Sequence, residues 1–109
     1  MVSIFSKPVI ASCEENQDSC ILTVHFKSKK CGFIKISRER VIFQFSCGWN
    51  TIGKGAVDIA KVLFIYENSR FIVSKISDNK EIFALRCNQD LYNIVYDFLS
   101  STKRRREPE

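Results

Sequence analysis

Apolar and polar residues alternate along the chain as far as Cys87, and beyond it the apolar positions recur with a helical spacing. Alternation built from β-branched and aromatic residues is the pattern of a half-buried strand. It predicts seven strands, over residues 9–13, 20–26, 32–37, 41–47, 59–66, 71–76 and 81–87. The clearest pair lies between Cys31 and Phe45. Ile34 and Ile36 share a face of its first half, and Val41, Phe43 and Phe45 share a face of its second. The charged stretch Ser37-Arg38-Glu39-Arg40 between them reads as a hairpin corner. In the preceding strand Leu22, Val24 and Phe26 oppose Ile21, Thr23 and His25.

Three stretches depart from the alternation. Pro8 lacks a donor, so the strand beside it is expected at a sheet edge. Residues 48–58 hold three of the four glycines and read as a loop. Residues 59–66 form a nearly continuous apolar run, expected as a central strand buried on both faces. Asn88 then suits a helix N-cap and Asp90 the first turn. Leu91, Ile94, Val95, Phe98 and Leu99 make one apolar stripe, which predicts an amphipathic helix over about 89–101. Residues 1–101 are therefore expected to form one domain, followed by a basic disordered tail at 102–109.

Composition narrows the chemistry. With 109 residues, 45% of them hydrophobic, the chain can build a single core. Its net charge of +5 permits anionic partners. Cys13, Cys20, Cys31, Cys47 and Cys87 show no Cys-x-x-Cys spacing, and His25 is the single histidine, so no metal site is expected. The cysteines read as five free thiols in an intracellular, reducing compartment. No apolar run approaches the ~18–20 residues of a membrane span, so an integral membrane protein is not expected. The run Gly53-Lys54-Gly55 lacks the Ser or Thr of a phosphate loop. Without a nucleophile–base constellation either, neither an enzyme nor a cofactor is expected.

The candidate binding residues are cationic. Lys27, Lys29, Lys30, Lys35, Arg38 and Arg40 face Glu39 alone within their stretch, which suits an acidic peptide or another anionic ligand. Trp49 is a candidate interaction anchor or a lid on the core. Lys103, Arg104, Arg105 and Arg106 are compatible with a nuclear import signal, favouring nucleus over cytoplasm.

The stretch Gly32-Phe33-Ile34-Lys35-Ile36-Ser37-Arg38-Glu39-Arg40-Val41-Ile42-Phe43 resembles the pattern Gly-x-Leu-x-Leu-Thr-x-x-Arg-Leu-x-Phe/Trp. That pattern marks GRAM domains, GLUE domains and the pleckstrin-homology domain of a TFIIH core subunit. Ile34 and Ile36 stand for the leucines, Ser37 for the Thr, Arg40 for the Arg and Phe43 for the aromatic. The resemblance implies a mainly β fold of the pleckstrin-homology-like kind, a seven-stranded antiparallel sandwich or barrel capped by one C-terminal helix. It also implies a non-catalytic protein-interaction module or scaffold, binding a peptide segment or partner subunit within a larger complex, such as those of transcription and DNA repair. Phosphoinositide or membrane-surface binding is the alternative, and nucleic acid is the less favoured partner.

Overall fold

The computed structural model describes residues 8–48 and 51–106, with backbone alone for 51 and 101–106. Trp49 therefore lies outside the described residues, as do 107–109 of the tail. The chain is mainly β, with one C-terminal helix. Eight strands follow in order: β1 (Val9–Glu15), β2 (Ser19–Phe26), β3 (Lys29–Ser37), β4 (Arg40–Cys47), β5 (Thr51–Asp58), β6 (Val62–Glu67), β7 (Arg70–Lys75) and β8 (Glu81–Arg86). A 3-10 turn, Ile59–Lys61, joins β5 to β6, and the helix α1 spans Gln89–Arg106.

The strands form one sheet in the order β5-β4-β3-β2-β1-β8-β7-β6. Neighbours pair antiparallel, except that β1 meets β8 in parallel at Val9 and Arg86. The sheet does not close: its two ends, β5 and β6, are consecutive in the chain and are not paired with each other. Turn chemistry explains the tight connections. Lys27 and Ser28 both have positive φ, and so do Asn68 and Ser69, which is the twist a two-residue hairpin requires. At the β3–β4 corner the Ser37 hydroxyl accepts the Arg40 N–H at 3.2 Å and donates to the Arg40 carbonyl at 3.1 Å. Asn16 closes the β1–β2 loop by accepting the N–H groups of Asp18 and Ser19 at 2.8 and 2.9 Å.

The core lies on the inner face of the curled sheet. Leu22, Val24, Ile34, Ile36 and Val41 are fully buried there, together with Phe71 and Val73. Phe43, Phe45, Phe71 and Phe83 interlock at centroid separations of 5.1–6.5 Å. The helix supplies Val95 and Phe98, both buried, with Leu91, Ile94 and Leu99 packed beside them, so the expected apolar stripe is the face that meets the core. Asn88 caps the helix, its Oδ1 accepting the Leu91 N–H at 2.9 Å.

Five expectations are corrected. There are eight strands rather than seven, because the presumed glycine loop contains β5. Its inward positions include Gly53 and Gly55, which seat the rings of Phe45 and Phe43: a Cβ on either would meet those rings at 2.6 or 3.1 Å. The apolar run 59–66 is not one strand buried on both faces. It is the 3-10 turn followed by β6, an end strand with Leu63 exposed. β1 is not wholly an edge strand, since Val9 bridges Arg86 of β8, although the rest of its ladder is with β2 alone. The helix extends past the expected end at residue 101 to Arg106. Finally, Cys31 and Cys47 are joined in a disulfide between β3 and β4, with Cα atoms 5.3 Å apart. The free thiols among the described residues are Cys13, Cys20 and Cys87.

Candidate functional site

The six hairpin cations do not gather into one patch. Lys27, Lys29 and Lys30 are exposed at the β2–β3 tip, where the Lys27 ammonium lies 5.3 Å from the Phe26 ring centroid. Lys35 is exposed midway along β3, on the outer sheet face, with Ile21 and Ile42 as its cross-strand partners. Arg40 is exposed at the start of β4, directly opposite Asp58 of β5. Arg38 occupies the far corner. Lys29 and Ser37 bound β3, and at ~3.3 Å per residue the tip cations stand roughly 26 Å from that corner. One small anionic ligand cannot touch both groups.

Arg38 is held apart from the others by its own contacts. Its guanidinium donates to the Gln17 carbonyl and lies over the ring of Phe98, 5.6 Å from the centroid. From there it lines a groove of about 430 Å³ between α1 and β6. One wall comes from β6 and the 3-10 turn, with Ile59, Leu63 and Phe64; the other comes from α1, with Tyr92, Val95, Tyr96 and Leu99. Leu63 and Tyr96 are exposed, at 47% and 59% of their surface, so the groove offers apolar area to a partner.

The backbone of β6 contributes as well. The hairpin closes at Glu67 and Arg70. Antiparallel alternation from that pair places Ile65 and Leu63 in hydrogen-bonded pairs with β7 and turns the backbone groups of Val62, Phe64 and Tyr66 away from it. The helix meets this edge through tyrosines. Tyr92 stacks on Tyr66 at 5.1 Å and donates its hydroxyl to the Phe64 carbonyl at 3.4 Å; the Tyr66 hydroxyl donates to the Cys87 carbonyl at 2.8 Å. Burial raises the pKa of Tyr92, and the neighbouring Tyr96 adds to the shift. The phenol therefore keeps its proton and remains a donor across the neutral range.

A larger cleft, about 630 Å³, occupies the open seam between β5 and the β6–β7 pair. Its lining sets Ala56, Val57, Ala60, Val62 and Ile76 beside Asp58, Lys61 and Lys75 with no aromatic side chain, and Asp58 and Lys61 form an exposed ion pair at 3.9 Å on its rim. Volume alone does not recommend it. The β6–α1 groove combines aromatic and aliphatic walls with outward-turned backbone groups, which is what an extended segment needs for both affinity and register.

Sequence reasoning did not single out Leu63, Tyr92 or Tyr96. The available signal was the spacing of the two tyrosines, four residues apart on the flank of the apolar helical stripe. The described residues contain no group of three or more His, Cys, Asp or Glu side chains placed to hold a metal ion. No described helix is long and apolar enough to cross a membrane. The side chains of Lys103–Arg106 lie outside the described residues. No family model, curated protein or solved structure matches the chain.

Proposed function

We propose that this chain is a non-catalytic protein-interaction module of the pleckstrin-homology-like kind, which binds a short extended segment of a partner protein in the β6–α1 groove. The observation that carries the reading is the groove itself: exposed Leu63 and Tyr96 flank a strand whose backbone turns outward at Val62, Phe64 and Tyr66. Main-chain pairing with β6 supplies affinity, and alternate side chains of the segment fill the apolar walls. Arg38 in the groove lining, on a chain of net charge +5, favours a segment that carries an acidic residue. An eight-stranded, unclosed sheet with one terminal helix is compatible with a divergent member of that superfold.

The second reading keeps the exposed cluster Lys27, Lys29 and Lys30 as a site for an anionic headgroup. Selection from a library of short random peptides, followed by NMR mapping of a selected peptide and of an inositol phosphate, separates the two. The peptide reading expects shifts at Leu63, Phe64 and Tyr96 that survive the double substitution Lys29→Glu, Lys30→Glu. Shifts confined to Lys27–Lys30, produced by the inositol phosphate alone, would sink it.

A nuclear address for the module rests on Lys103–Arg106 alone, because the Cys31–Cys47 disulfide removes the argument from five free thiols and is a bond that reducing compartments disfavour. Fusing residues 89–106 to a fluorescent protein tests this: the reading expects nuclear accumulation, and a uniform distribution contradicts it.

A further inference from the structure

The β1–β2 hairpin holds two thiols in reach of each other. Register pairs Cys13 with Leu22 and Glu15 with Cys20, so the two cysteines are diagonal neighbours across the ladder. Their sulfurs are 2.9 Å apart. Their surroundings differ: Cys20 is fully buried, whereas Cys13 is half-buried and reachable from solvent. The contact with Cys20 lowers the Cys13 pKa against the opposing influence of burial and of Glu14 and Glu15. The same contact, reinforced by burial, raises that of Cys20. By its exposure Cys13 is the sulfur that meets a reagent first. Cys87, the third free thiol, is buried and donates to the Asn88 carbonyl at 3.3 Å.

We propose that Cys13 and Cys20 form a dithiol exchange site that takes small-molecule disulfides and becomes a second intrachain disulfide. The Cys13 thiolate attacks one sulfur of the reagent RSSR, forming a Cys13–S–S–R bond and expelling RS⁻, which takes up the Cys13 proton. The Cys20 sulfur then attacks Cys13 Sγ and displaces the second RS⁻, which takes up the Cys20 proton. Two protein thiols are oxidised and one RSSR is reduced to two RSH. The product ties β1 to β2, and β1 is the strand that links the two halves of the sheet. The site is distinct from the β6–α1 groove and does not depend on the peptide-binding reading.

The test is incubation of the folded chain with oxidised glutathione, followed by thiol alkylation and mass spectrometry. The proposal expects the protein to lose two alkylatable thiols without retaining glutathione. The tryptic peptide 1–27, which carries both cysteines, should be lighter by two hydrogens, and Cys87 should be alkylated. Cys20→Ala should stop at a glutathione adduct on Cys13, and Cys87→Ala should behave as the parent. Cys13→Ser, a change at the half-buried position, should keep the fold and retain the Cys20 thiol. A stable glutathione adduct on the parent protein, a Cys13–Cys87 link, or full retention of both thiols would overturn the proposal.

Discussion

The hydroxyl of Tyr92, on the terminal helix, donates to the carbonyl of Phe64, on the end strand β6, at 3.4 Å. The helix thus occupies an acceptor that an incoming segment would need, and displacing the hydroxyl is part of the cost of binding. Tyr92→Phe keeps the ring that stacks on Tyr66 and meets Phe71 edge-on at 5.7 Å. It should destabilise the fold by only about 0.5–1 kcal/mol in urea unfolding, because the bond is long. It should also tighten a selected peptide about two- to five-fold, since the acceptor is then free. Weaker binding by the variant would show that the Tyr92 hydroxyl helps the ligand rather than competing with it.

Gly32 lies within β3, and its close approach to β4 leaves no room for a side chain. A Cβ there would collide with the Gln44 carbonyl and with Phe45 Cα and Cβ, backbone that cannot swing away. At Gly55 the obstacle is the far end of the Phe43 ring, 3.1 Å from such a Cβ, and a ring can give slightly. Gly32→Ala should therefore cost about 3 kcal/mol or more, and Gly55→Ala about 1 kcal/mol, read from denaturant midpoints. Equal costs would mean that β3 and β4 do not approach so closely.

The same glycines show what the sequence could reveal. Ile34, Ile36, Val41 and Phe43 alternate cleanly because each buries its side chain on one sheet face, so β3 and β4 were legible. β5 was hidden because its inward positions at Gly53 and Gly55 are empty by necessity, yielding space to the rings of Phe45 and Phe43. β6 was misjudged for a different reason. Its apolar residues are covered by a helix on one side and open on the other, and a local apolar run does not reveal which neighbour does the covering. The cationic candidates were visible one by one. Their separation along β3, and the partnership of Leu63 with Tyr96 across the groove, exist only after the sheet has curled against α1.

The Cys31–Cys47 bond closes a loop with a sequence separation of 16. Cross-linking a loop of that length should contribute about 3 kcal/mol by restricting the unfolded chain. The double substitution Cys31→Ser, Cys47→Ser should lower the unfolding free energy by that order. Addition of dithiothreitol should do the same to the parent and leave the variant unchanged. A parent insensitive to reductant would argue that the bond contributes little to folding.

Alkaline pH should destabilise the fold through Cys87. Burial is the main cause that pushes its thiol from the ordinary 9.0 up to about 11, with the nearby Cys13 adding to the shift. A folded-state pKa above the unfolded one means that the stabilisation is complete below about pH 9 and is lost as pH rises toward 11, because the unfolded chain releases the proton first. Comparing urea unfolding at about pH 8 and about pH 11, the parent should lose roughly 2 kcal/mol more than Cys87→Ala. Parallel pH profiles for the two proteins would contradict this assignment.

The most direct measurement of the account is residue-resolved amide hydrogen exchange of the chain with and without a library-selected peptide. Strand addition at β6 predicts slowed exchange at the outward-turned amides of Val62 and Phe64, with the tip residues Lys27–Lys30 unchanged. Protection at the tip or along β5, with β6 exchanging as in the free protein, would contradict the groove as the binding site.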